Sequence, residues 1–422
     1  MAPNDPLTTN RHVDTHVDVL VVGAGPAGAT AATVLARAGR SVLVIDKAEF
    51  PRDKCCGDGL TTLALRELEA IGLRPEHVPS WQTVSAAWLR SPSGREVCLP
   101  MPTDGMFAAT TPRRELDAAL VALARSAGAE VREGCSIVAL HQTATHVDVE
   151  IAGPVDGAGS SPASTTVRCQ FVIAADGMWS PTRKLLGLAE PGYLGEWHAF
   201  RQYASNVTGT AAERLYVWFE PDLLPGYAWS FPLPDGRANI GFGVTRDGRY
   251  SGADMKHLWA GLVDRPHIRE ALGPDATLDD RHTAWPIPAG IDRAVLSADR
   301  TLFVGDAVRA TDVMTGEGIG QAVLTGRLAA EAVLHGPSPV QVRRHYEQHV
   351  RRHLFADHRM SKVLNGWLAK PLLARGAIRL VGLNNWTRRN FVRWMFEDEA
   401  RAVVFTPRRW HRRFLRQAGT YR

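Results

Sequence analysis

Residues 18–46 constrain the fold of this chain more than any other stretch. A β-branched run (18–22) leads into Gly23-Ala24-Gly25-Pro26-Ala27-Gly28, then a stretch of small residues with helical composition (29–38). A second apolar run (41–45) ends on Asp46. Strand, glycine turn, helix, strand and terminal acid form a βαβ nucleotide-binding unit. The glycines allow a tight turn, backbone approach to a pyrophosphate and close helix–strand contact. The helix start offers N–H groups to phosphate oxygens, and Asp46 stands where a carboxylate accepts from a ribose hydroxyl. Gly23, Gly25, Ala27, Gly28, Asp46 and the adjoining Lys47 are therefore expected at a dinucleotide. The uncharged segment 19–36 approaches the length of a membrane span, but its glycines, its proline and its strand–turn–helix punctuation argue against one.

A chain of 422 residues has room for two domains or one composite domain. Its five cysteines, two of them adjacent, form neither a disulfide framework nor a C-x-x-C zinc pattern. Reduced thiols, a cytoplasmic location and no metal are the expectation. Residues 1–16 are polar and do not read as a secretory signal. The net charge of +5 is uneven: residues 385–422 hold ten Arg and three acids, a charge of +7 that leaves −2 for the rest.

Four later segments identify the dinucleotide. Residues 113–129 read as an amphipathic helix led by Arg113, and a strand at 171–175 precedes Asp176-Gly177. A strand at 302–304 precedes Gly305-Asp306-Ala307, and Gly316-Glu317-Gly318-Ile319-Gly320 opens a helix to about residue 333. In this order they resemble the flavoprotein family of p-hydroxybenzoate hydroxylase-type monooxygenases, flavin halogenases and geranylgeranyl reductases. The resemblance implies FAD, with Asp176 and Asp306 against it and Arg113 reaching the flavin. It also places Val138 at the cofactor, and Gly318 and Ile319 at a helix start aimed at the flavin pyrimidine, where reduction develops negative charge.

The segment Phe50-Pro51-Arg52-Asp53-Lys54-Cys55-Cys56-Gly57-Asp58-Gly59 narrows the family. It resembles the Pro-Arg-x-Lys-x-Cys-Gly segment of geranylgeranyl reductases, with Cys56 at the family cysteine. Tyr227-Ala228-Trp229-Ser230-Phe231-Pro232 resembles their Tyr-x-Trp-x-Phe-Pro motif, and residues 315–319 their Thr-Gly-Glu-Gly-Ile. The pattern is most similar to bacterial menaquinone and prenyl-chain reductases and extends over about residues 18–332. It implies an enzyme that saturates carbon–carbon double bonds of a prenylated or other hydrophobic substrate by hydride transfer from reduced flavin. Arg52, Cys56, Gly57 and Gly59 would then lie near FAD, with Cys56, Tyr227 and Trp229 as catalytic candidates.

The residue types suit that chemistry. An isolated prenyl double bond is a poor hydride acceptor, so a placed acid and a dry pocket both help. Cys56 is a candidate proton donor or substrate-positioning group; its plain alternative is a buried thiol. Tyr227 and Trp229 alternate along a strand and share a face, as a wall for a prenyl chain or as ordinary sheet packing. Arg52 and Lys54 read as phosphate or flavin contacts, or as a solvated loop. One departure stands out: Asp312-Val313 occupies the place of the family's Asn-Pro. That carboxylate could tune the flavin, act as an acid or face solvent. A flavin monooxygenase or halogenase is the alternative, although the halogenase Trp-x-Trp-x-Ile-Pro is absent; a non-catalytic flavin protein is the third reading. The electron donor stays open among NAD(P)H, a reduced flavin and a ferredoxin or other donor protein.

The expected fold class is an α/β composite. A Rossmann-like FAD domain takes residues 17–80, 106–190 and 281–345, and an inserted antiparallel-sheet substrate domain takes 81–105 and 191–280. A helical region covers 346–422. Residues 153–166 read as a hairpin loop. In the tail, Phe391, Trp394 and Met395 share a helical face, as do Trp410 and Phe414, and arginines fill the other positions. This basic amphipathic region either lies on an anionic membrane or packs on the protein. No nucleic-acid partner is expected.

Overall fold

The computed structural model describes residues 13–154, 164–407, 410 and 417–422. Strand β1 (Thr15–Val22), helix α1 (Pro26–Arg37) and strand β2 (Val42–Ile45) form the nucleotide-binding unit. All of β2 and the second half of β1 are buried, as continuous apolar runs require in a parallel sheet covered on both faces. Helix α2 (Arg113–Ser126) packs beside α1. Strand β3 (Ser164–Ala174) lies parallel to β1 and antiparallel to Val147–Ala152, so residues 147–174 do form a hairpin; its connection, residues 155–163, lies outside the described residues.

The second sheet is built on β4 (Trp197–Ser205), β5 (Tyr227–Leu233) and β6 (Arg237–Thr245). Left-handed backbone at Asp235 and Gly236 closes the β5–β6 hairpin. The sheet is antiparallel except at one pairing: Leu215–Trp218 runs parallel to Ala86–Arg90. The hairpin of residues 86–100 belongs to an earlier excursion of the chain, so no tight turn dictates its direction. Strand β7 (Thr301–Phe303) returns to the first sheet beside β3, and α3 (Ile319–His335) packs against α1. The parallel order is thus β7-β3-β1-β2, then Glu130–Arg132.

After a helix at Pro339–Val350 come α4 (Ala356–Leu368), α5 (Pro371–Val381) and α6 (Asn385–Met395). Ile378, Val381, Val392 and Phe396 join the core formed by the 86–100 hairpin and β5, and Phe391 and Met395 pack against it. The aromatic face of the tail is therefore a packing face, because it meets an apolar sheet edge that the sequence does not reveal. Trp394 donates its indole N–H to the Arg401 carbonyl at 3.3 Å. Trp410 is exposed, and Phe414 lies outside the described residues. Among the described residues no helix is long and apolar enough to cross a membrane.

Candidate functional site

One cavity of about 1380 Å³ opens where the parallel strands end. Val22 and Gly23 after β1, Ile45 and Asp46 after β2, Ala175 and Asp176 after β3, and Val304 to Asp306 after β7 line it. Ligands of open α/β sheets bind at these carboxyl ends. The volume exceeds the ~300–1,000 Å³ of ordinary small-molecule sites, so a dinucleotide and a second molecule fit together.

At the nucleotide end, Gly23 has φ of 102°, and a Cβ there would lie 2.3 Å from the Ala175 carbonyl oxygen. A Cβ on Gly28 would lie 1.8 Å from the Gly23 oxygen. Above Gly25 there is open space, with only an Arg52 Nη2 at 3.7 Å. Helix α1 starts at Pro26 with no side-chain cap, so its first N–H groups are left to an anion. Ala27 and Lys47 line the same end. Asp46 accepts from the Ala24 N–H at 2.7 Å and the Ala48 N–H at 2.9 Å, so it also braces the glycine turn.

Two arginines stand beside this turn. Arg52 Nη1 lies 3.0 Å from Asp117 Oδ2, and Arg113 donates to both Asp117 oxygens at 2.7 Å. Asp117, missing from the expected site residues, is the buried anion that sets both cations at the cavity; its sequence signal is the i, i+4 spacing from Arg113. Arg52 is thus no free solvated side chain. Asp176 accepts from Ser180 Oγ at 2.6 Å and the Thr182 N–H at 2.8 Å. The Lys54 ammonium sits 3.1 Å from the centroid of the Trp285 ring; burial lowers its pKa to about 8, against the pull of Asp306. Val138 does not line the cavity, although Ser136 and Ile137 just before it do, and its side chain is about half exposed.

At the far end, α3 also begins without a side-chain cap, and Gly318, Ile319 and Ala322 line the cavity there. Two uncapped helix starts, an open glycine cradle, an acid ending β2 and two arginines suit the pyrophosphate, ribose and ring system of FAD.

The loop from Arg52 to Gly59 crosses this far end, and the second sheet holds it. The Cys56 carbonyl accepts from Arg201 Nε at 3.2 Å and Asn239 Nδ2 at 2.9 Å. Arg201 pairs with Asp53 at 2.9 Å. Buried Asp58 has φ of 64° and accepts from the Tyr203 hydroxyl and Asn239 Nδ2, both at 2.7 Å. Burial raises its pKa to about 6 despite these bonds. Arg201, Tyr203 and Asn239 are absent from the expectations; the available signal was Arg201 and Tyr203 two apart, and so on one face of a strand. Gly57, Gly59 and both thiols line the cavity. Cys55 donates to the Thr283 carbonyl at 3.8 Å. Burial pushes the Cys56 thiol up to about 12, with Arg113 acting against it.

Packed against the loop, Tyr227, Trp229 and Phe231 line the cavity from one face of β5, with successive ring centroids 6.0 and 6.2 Å apart; Phe231 Cε2 lies 2.9 Å from where a Cβ on Gly59 would stand. Trp229 Nε1 donates to Asn239 Oδ1 at 3.0 Å. The Tyr227 hydroxyl donates to the Thr315 carbonyl, which ties this wall to the Thr315–Gly318 turn.

Asp312 neither faces solvent nor lines the cavity. Its carboxylate accepts from the Met314 N–H at 3.1 Å, from Thr315 N and Oγ1 at 2.9 Å each, and from Ser361 Oγ at 2.7 Å. Arg401 Nε lies 3.3 Å away. Burial alone would raise this carboxyl, but Arg401 and those bonds hold it below the usual range. The residue that departs from the family pattern is thus a clamp between the turn and the C-terminal segment. Of the two acids of this turn, Glu317 is the one that lines the cavity.

A family profile described as FAD binding domain matches residues 16–353. The chain is 34% identical over 352 residues to the menaquinone reductase of Mycolicibacterium smegmatis, covering 77% of this chain and 78% of that one. It is 33% identical over 317 residues to digeranylgeranylglycerophospholipid reductase 2 of Methanopyrus kandleri, covering 74% and 76%. In fold it is similar to a geranylgeranyl bacteriochlorophyll reductase-like protein of Thermoplasma acidophilum, with a TM-score of 0.77, 22% identity, and 94% and 100% of the two chains covered.

Proposed function

The chain belongs to the FAD-binding-domain flavoproteins, among the prenyl-lipid reductases, and from that premise we propose that it saturates a carbon–carbon double bond of a prenylated lipid. The observation that carries this reading is the apolar wall of Tyr227, Trp229 and Phe231, which packs beside the Cys56 loop and with it lines the cavity that fits FAD. Reduced FAD supplies the hydride when bound. The wall accepts an isoprenoid chain and keeps water from it. Arg201, Asn239 and Asp58 fix the height of the loop over the ring site, and Cys56 packs against the substrate as a neutral thiol.

The test is anaerobic. Enzyme reduced in the absence of oxygen is re-oxidised by prenyl quinones or prenyl phospholipids, and mass spectrometry finds two added hydrogens in the lipid. Substrate-stimulated oxygen consumption with an oxygenated product overturns this in favour of a monooxygenase.

We infer that the substrate is met at an anionic lipid surface through α4, α5 and α6 rather than through the extreme tail. Residues 358–396 contain eight Lys and Arg and no acid. Helix α5 is apolar on two faces: Ala374, Ile378 and Val381 pack inward, while Leu372 and Leu380, and Leu383 just after the helix, are each more than half exposed. Val363 and Trp367 on α4 and Trp386 on α6 are exposed likewise, with exposed Lys370, Arg375, Arg379 and Arg389 among them. Exposed leucine and tryptophan rimmed by cations is the composition of an interfacial helix. Leu380→Glu with Leu383→Glu weakens sedimentation with phosphatidylglycerol vesicles by about tenfold or more; unchanged binding, or equal binding to phosphatidylcholine in high salt, rejects the surface. Deleting residues from 385 onward is no substitute, because Glu397 and Arg401 are built into the interior.

A further inference from the structure

Glu317 faces the cavity from the turn before α3, shielded from bulk solvent. Its Oε1 lies 3.7 Å from where a Cβ on Gly59 would stand, so it overlooks the Cys56–Gly59 loop. Its carbonyl accepts from the Asp312 N–H at 2.9 Å, which fixes the turn. Behind it the C-terminal segment supplies two charged residues. Glu397 accepts from Thr61 Oγ1 at 2.9 Å and Gln321 Nε2 at 2.7 Å. Arg401 reaches Asp312 at 3.3 Å and Glu397 at 3.6 Å.

Arg401 thus pairs with two carboxyls, Asp312 and Glu397, and acts through space on Glu317 and on Asp357, which accepts from the Ala402 N–H at 2.9 Å. One cation cannot balance three anions removed from water, so a proton is retained among them. Asp312 has the strongest hold on the charge, with four hydrogen bonds and Arg401. The proton falls to the glutamates. Burial, then the like charges of Glu397 and Asp312, push Glu317 up to about 8 against the pull of Arg401. Burial brings Glu397 to about 7, Arg401 acting against it. The other titratable groups near Glu317, Cys56 from the loop and Tyr227 from β5, are held neutral chiefly by burial and add no charge.

We propose that Glu317 is the acid that protonates the second alkene carbon, and that Glu397 and Arg401 are positioning residues that set its protonation. This rests on the reductase reading above. With FAD bound and reduced, the flavin would supply the hydride for one C–H bond; the π-electron pair would form the other with the proton leaving the Glu317 carboxyl. Two electrons and one proton reach the lipid in addition to the hydride's hydrogen nucleus, the flavin is oxidised, and the Glu317 carboxylate regains its proton from water before the next turnover. An efficient acid has a pKa near the working pH, which Glu317 has and the Cys56 thiol lacks.

The experiment is an anaerobic single turnover of the reduced holoenzyme with a prenyl quinone across pH, joined to an infrared titration of its carboxylic-acid band. Glu317→Gln keeps FAD and slows flavin re-oxidation by about 100-fold or more. The wild-type rate is high at low pH and falls as pH rises through about 8, and Glu397→Gln moves that break to lower pH by removing a like charge. The infrared titration loses one component in Glu317→Gln, and that component shifts in Glu397→Gln; a structural glutamate would leave the pH break in place. Glu317→Gln turning over within about threefold of wild type with its pH break intact overturns the proposal, as does an ionised Glu317 at neutral pH. If the wild-type enzyme hydrogenates no prenyl lipid, the reductase reading itself fails; if it does so and Glu317→Gln does too, only the acid assignment fails.

Discussion

The two ends of the cavity are built in opposite ways. The nucleotide end comes largely from one contiguous stretch: Gly23, Gly25, Gly28 and Asp46 sit within a single βαβ unit, and Asp46 closes on Ala24 by hydrogen bond. The flavin end draws on residues far apart in sequence: the Cys56 loop, Arg201 and Asn239 from the second sheet, Glu317 before α3, and Arg401 near the C-terminus. The first is a local backbone device that tolerates little change. The second is a polar network with a charge imbalance, where substitutions should redistribute protons as well as remove contacts.

The sharpest break of this contrast is Gly28→Val. With the Gly23 oxygen 1.8 Å from the added Cβ, α1 must move off β1; we expect protein purified without flavin absorbance and a stability loss of about 3 kcal/mol or more. At the other end, Asp312→Ala leaves Arg401 buried without its main partner, at a cost of about 3 kcal/mol by chemical denaturation, while FAD is retained. Loss of FAD in that variant would show that the two ends are one cooperative device.

Acid–base behaviour separates the ends further. The Glu317 pKa is raised in the folded state from 4.5 to about 8, so its stabilising contribution is present below the unfolded value and lost as pH rises through the folded one. Denaturation midpoints should therefore fall as pH rises from about 5 to about 8, and Glu317→Gln should flatten that slope; an unchanged slope would remove Glu317 as its source. Cys56→Ser should keep FAD and slow turnover by about tenfold or less, well short of the Glu317→Gln effect; the reverse order would return the acid role to the thiol. The smallest effect is expected from Tyr227→Phe, which removes one hydrogen bond to Thr315 and should cost about 1 kcal/mol, seen as a small drop in melting temperature.

Most of the fold was legible because its signals are local. The apolar runs of β1 and β2, the glycine turn between them and the alternation of Tyr227 and Trp229 follow from backbone periodicity alone. Val138 shows the limit of carrying a position across a resemblance: the cavity lining ends at Ile137, one residue short of it. The tail shows another, since Phe391 and Met395 form an amphipathic stripe whichever apolar surface they meet, and here it is the 86–100 hairpin. Asp117 and Asp58, which hold the arginines and the Cys56 loop, look in sequence like any other acids.

By itself the sequence determined the dinucleotide unit, the cysteine loop and the aromatic strand, because each is written within a dozen or so neighbouring residues whose spacing sets their geometry. Only the tertiary structure decided which carboxyl is free to hold a proton. Asp312 and Glu317 are five residues apart and chemically alike, yet one is neutralised by Arg401 across 89 residues of chain and the other is left facing an apolar cavity. Charge state depends on burial and on through-space partners, and neither is carried by sequence spacing.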